Sequence, residues 1–337
     1  MTSSRSAAVR MPEAGESPPL LSVVIPTLNR EQPLVKTIEY FMTRETYRPF
    51  ELIVVDQSER HESATERYLD SVDSRIHLDR ATFKSLPRAR NRGLELAKGE
   101  IVVFVDDDVE PYDGFLAGHL APYADAKVSM VTGPAPAPGE ELTGRDKISD
   151  RQYRDLLDGH MIGLQLDFDY EPCSWGVGCN FSVRRDVALR IGGFDETFVG
   201  VAVGEDAEFS NRLRQSGGVI HYAVRAGLVH VQVASGGCRT AAGSEYVRMF
   251  AYNQNYFHRA VKASPLLRLQ GNWSTYRRLV LNRHSLGNLT ILHWAFLVGA
   301  ARGLRQPLAK FGAPQATNSR APIGKARAVS SASDAER

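Results

Sequence analysis

Runs of consecutive apolar residues rich in Val and Ile recur along the first part of the chain: LSVVI at 21–25, ELIVV at 51–55, IVVFV at 101–105 and VSMVT at 128–132. An unbroken apolar run leaves no wet face, so each predicts a strand buried on both sides of a largely parallel sheet. Helical periodicity fills the gaps. Asn29 with Gln32 three residues on predicts one helix start. Ser85 and Pro87 predict another, running to about Ala97 and ended by Gly99. Strands alternating with helices predict an α/β layered fold.

Beyond 133 the pattern loosens through the turn-rich GPAPAPGEELTG, and a helix is predicted around 150–165. Three further strands are predicted at CNFSV, GVIHY and GLVHVQV. From 244 onward the chain reads as helices with Arg on one side and Leu, Tyr, Phe and Trp on the other. The ends, 1–19 and 313–337, are polar and biased in composition, and read as disordered tails. No internal repeat is visible.

The 337 residues carry a formal net charge of only +2, but the charge is unevenly spread. Positions 246–333 hold no Asp or Glu and thirteen Lys and Arg, whereas 1–245 hold 27 basic and 37 acidic residues. A basic, acid-free helical region with Trp273, Trp294 and Phe296 suits an anionic membrane surface or an acceptor on a lipid diphosphate. It equally suits helices that pack on the acidic part of the chain or pair subunits into a homo-oligomer. Nucleic acid is disfavoured, because the aromatics lie in apolar stripes and present no stacking face.

The apolar segment 286–301 is interrupted by Asn288 and His293 and is short for a bilayer span of about 20 residues. The N-terminal stretch lacks the apolar core of a secretion signal. Three cysteines at no metal spacing read as reduced thiols. The expectation is a cytoplasmic protein, peripheral on the inner face of the membrane.

The third apolar run drives straight into three carboxylates, IVVFVDDDVEP at 101–111. If the strand geometry persists, Asp106 and Asp108 point the same way and Asp107 the other. Two converging carboxylates repel unless a hard divalent cation, Mn2+ or Mg2+, turns the repulsion into binding. Open α/β sheets also bind ligands at this end of their strands. The plainer alternative is a solvated turn in which Asp107 or Asp108 caps a helix starting near Tyr112. Neither a G-x-G-x-x-G after the first strand nor a G-x-x-x-x-G-K-[ST] is present, so a nucleotide would be gripped another way.

The ordered set SVVIPTLNR, VVDQS, LPRARNRG, VFVDDD, GGFDE, GEDAEFSNRLRQSG and HV resembles the family-2 glycosyltransferases, over roughly 21–235. The resemblance implies a GT-A fold, with a mostly parallel sheet flanked by helices, and an inverting reaction on a nucleoside-diphosphate sugar. It divides the chain into a catalytic domain at 20–240 and a basic helical extension at 241–312. Within the domain it implies a nucleotide-binding half at 20–108 and an acceptor half at 109–240.

Residue by residue, the resemblance implies that Pro26, Thr27 and Asn29 line the donor pocket and that Asp56 bonds base or ribose. Arg88, Arg90 and Asn91 would lie near base or diphosphate, consistent with the pull of guanidinium groups and helix starts on anionic oxygens. Asp106 and Asp108 would hold the metal with His230, Asp106 and Asp107 also facing the donor, and the cation would take up charge on the departing diphosphate. Asp206 would be the base, Glu205 would orient the site, and Trp175, Gly178 and Asn180 would shape the sugar and acceptor pockets. ASGGCRT, at 234–240, would close over the donor and bring Arg239 to the diphosphate. The acceptor would be a glycan or a lipid-linked sugar in envelope or surface polysaccharide assembly. A sugar-1-phosphate nucleotidyltransferase is the rival enzyme, but it would want a Gly-rich, Arg-containing loop where PTLNREQP stands. A prenyl-transfer enzyme would carry its Asp cluster on helices. A catalytically silent nucleotide-sugar binding protein would have no need of Asp106, Asp108, Asp206 and His230 together.

Overall fold

The computed structural model describes residues 20–152, 165–237, 243–281 and 286–311. Of the helix expected around 150–165, only the start at 150–152 is described, and it is helical; both tails lie outside the described residues.

The apolar runs form β1 (Leu21–Thr27), β2 (Phe50–Asp56), β4 (Ile101–Val105) and β6 (Val128–Thr132). Along β1, β2 and β4, alternate side chains enter two separate cores; in β6 a register shift near Val128 interrupts the alternation. Val23, Ile25, Leu52, Val54, Val103 and Val105 pack on one face of the sheet, and Val24, Ile53, Val55, Val102 and Phe104 on the other. This double burial is why the runs are unbroken.

The complete sheet adds β3 (Ile76–Arg80), β7 (Asn180–Arg184) and β8 (Val219–Tyr222), in the order β3-β2-β1-β4-β7-β6-β8. β1 to β4 are parallel, and so are β6 and β8, but β7 runs antiparallel to both its neighbours. The sheet is therefore mixed and mostly parallel. Its strand ends align: Thr27 of β1 sits beside Asp56 of β2, and Asp56 beside Arg80 of β3.

Helices α1 (Gln32–Thr43), α2 (Ser63–Asp70), α3 (Leu86–Leu96), α4 (Phe115–Leu120), α5 (Arg185–Arg190) and α6 (Glu205–Gln215) accompany the sheet. Gly93 lets α3 lie directly on β1, because a Cβ there would collide with the Val24 side chain. The expectation that Asn29 caps α1 is corrected. Asn29 occupies the left-handed region at φ 52°, its N–H donates to Ser58 Oγ at 2.8 Å, and Glu31 stands at the cap position with its carboxylate bonded to His61 and the Glu62 N–H instead of the helix start.

A separate two-stranded ribbon pairs β5 (Val109–Pro111) with β9 (Leu228–His230), setting Val109 opposite His230. The C-terminal part is helical, as its periodicity predicts: α7 (Gly243–Ala260), α8 (Pro265–Leu279) and α9 (Leu289–Arg305). These close over a small core of Val247, Ala251, Val280, Leu292 and Phe296. α7 also docks on the sheet-bearing part, where Tyr256 packs with Phe198 and Ala202. Its Tyr256 hydroxyl donates to Asp195 at 2.6 Å, and Asn253 exchanges two hydrogen bonds with the Val199 backbone. The loop so gripped, 195–204, leads directly into α6.

Candidate active site

Beyond β4 the chain makes its tight acidic turn because Thr37 of α1 holds it. The Thr37 hydroxyl donates to the backbone oxygens of Asp107 and Val109 and accepts the Val109 N–H. Asp107 turns inward, accepting Thr27 Oγ1 at 2.6 Å with the Arg30 guanidinium 3.2 Å away. Burial pushes its carboxyl up to about 7, against the pull of Thr27 and Arg30. Asp106 and Asp108 reach the ribbon, while Asp108 shares Arg30 with Asp107 and all three line one crevice.

That ribbon supplies the third group. The Asp108 carbonyl accepts the Val231 N–H at 2.9 Å, and its Oδ2 accepts the Val233 N–H at 2.8 Å. His230 Nε2 thereby stands 3.2 Å from Asp108 Oδ1 and 3.7 Å from Asp106 Oδ2. Burial alone would depress the imidazole, but Asp108, Cys179 and Asp106 push it up to about 11. Burial likewise works against the Asp108 carboxylate, yet the His230 hydrogen bond brings it below the usual range. One ligand atom from each of Asp106, Asp108 and His230 falls within 4.8 Å of the others. Two carboxylates and an imidazole at that spacing fit a divalent cation such as Mn2+ or Mg2+.

Arg90, from α3, ties this cluster to the next element. Its guanidinium pairs with Glu205, donates to the Gly178 carbonyl at 2.6 Å and lies 3.7 Å from Asp106. Gly178 N–H in turn donates to Asp206 Oδ2 at 3.0 Å, and Ala207 N–H to Asp206 Oδ1 at 2.8 Å. Asp206 and the metal-type triad therefore share one scaffold. Burial raises the Asp206 carboxyl above the ordinary aspartate range, only partly opposed by Arg90 and the two backbone donors. A carboxylate poised in this way suits proton abstraction.

Pro26, Thr27, Arg30, Gln57, Asp106, Asp108 and His230 line a crevice of about 180 Å³. A larger cavity, about 620 Å³, lies between 196–199 and α7 and α9 beside Arg248 and Arg302, but it gathers no carboxylate cluster. Chemistry, not size, selects the smaller one.

Other expected groups stand elsewhere. Asp56 is fully buried, with its carboxylate accepting Ser58 N–H and bonded to His61 Nε2, and Gln57 beside it faces the crevice instead. Arg88 lies over the Phe83 ring at 4.2 Å, and Asn91 is bonded to Phe194 and Glu196; both line a different hollow. Glu205 is committed to Arg90, and Trp175 is half-buried outside the crevice lining. Arg239 lies outside the described residues.

Asn180 is corrected from a pocket residue to a core one. It has no exposed surface; Oδ1 meets His119 Nε2 at 3.0 Å and Nδ2 donates to the Pro134 and Ala226 carbonyls. Asn180→Ala is expected to lower unfolding stability by about 2–3 kcal/mol through the partners left unpaired. Urea unfolding reads this loss, with the donor KM unmoved.

Arg30 is the group the sequence reading passed over. It is buried, touches Asp107 and Asp108, and donates to the Val233 carbonyl at 3.0 Å and to that of Ser235. With Gly237 N–H bonded to Leu28 at 2.7 Å and Gly236 (φ +77°) against the Asn29 carbonyl, it clasps 233–237 over the crevice. The signal was present in PTLNR, adjacent to the residues already singled out.

This fold and carboxylate-imidazole arrangement define a glycosyltransferase scaffold of the GT-A type. The family model described as Glycosyl transferase family 2 matches residues 22–192, and the chain belongs to that family. It is 30% identical over 233 residues to validoxylamine A glucosyltransferase of Streptomyces hygroscopicus subsp. limoneus, covering 61% of this chain and 50% of that protein. The chain thus spans about half the length of that relative. Over 102 residues it is 34% identical to GalNAc(5)-diNAcBac-PP-undecaprenol beta-1,3-glucosyltransferase of Campylobacter jejuni, covering 29% of this chain and 33% of that one. The fold is shared with the crystal structure of GalNAc-T7 with UDP, GalNAc and Mn2+, at TM-score 0.54 and 17% identity, over 71% of this chain and 50% of that chain.

Proposed function

We propose that the protein is an inverting, metal-dependent glycosyltransferase that moves a sugar from a nucleoside-diphosphate sugar, UDP-linked by preference, to a glycan or lipid-linked acceptor. Envelope or surface polysaccharide assembly at the cytoplasmic side of the membrane is the setting this reading favours. The observation that carries it is the convergence of Asp106, Asp108 and His230 at the ligand edge of the sheet, linked through Arg90 and Gly178 to Asp206. The lipid-linked acceptor is supported by the undecaprenol-named relative, and the UDP and Mn2+ preference by the GalNAc-T7 complex.

In this reading Asp106, Asp108 and His230 hold the cation, and Pro26, Thr27 and Gln57 line the donor cleft. A bound divalent cation supplies neutralising charge for the departing diphosphate. Asp206 takes the proton of the acceptor hydroxyl as its oxygen attacks the anomeric carbon, while nucleoside diphosphate leaves from the opposite face. Arg90 keeps Glu205 and the 178 turn fixed so that the base is aimed. The crevice is smaller than the roughly 300–1,000 Å³ of ordinary small-molecule sites, so 233–237 withdraws to admit donor and returns to exclude water.

The test is a panel of nucleotide sugars read by thermal shift with and without Mn2+. A UDP-sugar is expected to raise the melting temperature only when metal is present, since a ligand that binds the native state alone stabilises it by mass action. No shift from any nucleotide sugar with metal present would refute the proposal.

A further inference from the structure

Among the described residues, fourteen large apolar side chains are exposed, and twelve of them lie between 266 and 308, on or beside α8 and α9. Such a concentration is not the scatter of single apolar residues found on any surface. On α8, Leu266, Leu269 and Trp273 fall at i, i+3 and i+7, and the same stripe reaches Arg277 at i+11. On α9, Ile291, Trp294 and Val298 repeat that spacing and reach Arg302 at i+11. Trp273 and Trp294 are 59% and 62% exposed.

The two helices meet beneath their stripes, through Tyr276 and His293. The Trp273 ring lies 6.3 Å from Tyr276, whose hydroxyl is 2.8 Å from His293 Nδ1, and the His293 ring lies 6.4 Å from Trp294. Each ends in an exposed Arg, and neither helix contains a carboxylate. No helix among the described residues is long and apolar enough to cross a membrane. A second copy set face to face would bring the same cationic, acid-free surface against itself and be repelled. Anionic headgroups complement it in charge, and Trp favours the boundary between headgroups and acyl chains.

We propose that α8 and α9 form a docking face for an anionic lipid bilayer, with Trp273 and Trp294 entering the interface and Arg277 and Arg302 lying among the headgroups. The inference is independent of the catalytic reading. It is tested by flotating the full chain with vesicles of phosphatidylcholine alone and of phosphatidylcholine with phosphatidylglycerol. Binding is expected with phosphatidylglycerol and is expected to fade as salt rises. The Trp273→Ala, Trp294→Ala double variant should bind about tenfold or more weakly. Arg277→Gln with Arg302→Gln should weaken binding about tenfold to thirtyfold. Both variants alter exposed side chains, and their melting temperatures should match the parent. Failure to bind phosphatidylglycerol vesicles overturns the proposal, as does undiminished binding by both variants. A lipid-free dimer in analytical ultracentrifugation that the double Trp variant converts to monomer would assign the face to a second copy, and so overturns it too.

Discussion

Asp206→Asn is expected to keep nucleoside-diphosphate binding and to lose about a hundredfold to ten-thousandfold in kcat. The substitution preserves shape and one acceptor for the backbone donors of Gly178 and Ala207, and removes the capacity to hold a proton. The donor-binding groups lie across the Arg90 bridge from it, so a thermal shift with nucleoside diphosphate and metal should persist. The parent enzyme carries a companion signature in pH. The base works only when ionised, and burial lifts its carboxyl above 3.8, so kcat should rise with pH through a midpoint above that of a free aspartate. In Asp206→Asn that acid limb should vanish. Transfer at the parent rate would take the base role away from Asp206.

Asp108→Ala is expected to abolish metal-dependent nucleotide binding and to lower transfer by about a thousandfold, as charge stabilisation worth several kcal/mol disappears. Asp108 also receives the Val233 N–H and faces Arg30, so its removal frees the segment over the crevice as well. His230→Ala separates the two effects, because His230 meets the other oxygen of Asp108 and leaves the Arg30 and Val233 contacts in place. Both variants should lose Mn2+ in calorimetric titration. EDTA should reproduce the loss in the parent and added Mn2+ should restore it. Full transfer by chelated enzyme would sink the triad assignment.

The strands most plainly legible in the sequence, β1, β2, β4 and β6, are buried on both faces and so produce unbroken apolar runs, while the half-buried β8 and the short β9 were marked by briefer runs. β3 escaped notice because it is an edge strand: Ile76 and Leu78 are partly buried while His77 and Asp79 alternate with them, a weak signal over five residues. The run at β7 announces a strand but not its direction, which is decided by how the intervening chain returns. The acidic turn and His230 were legible as chemistry, since like charges at a strand end demand an explanation. Asn180 was misread because its partners come from far along the chain, His119 being 61 positions away. Spacing cannot separate a saturated interior amide from one that awaits a ligand. Arg30 was not singled out, because its contacts depend on where 233–237 folds back.

The grip of α7 on 195–204 makes the appendage inseparable from the chemistry. Tyr256 and Asn253 hold the polypeptide that aims the Asp206 helix, and the Ala309 N–H closes onto the same Tyr256 hydroxyl at 3.0 Å. If Asp206 is the base as proposed, a chimaera given a foreign C-terminal segment is expected to seat it poorly, so the two parts should change in concert.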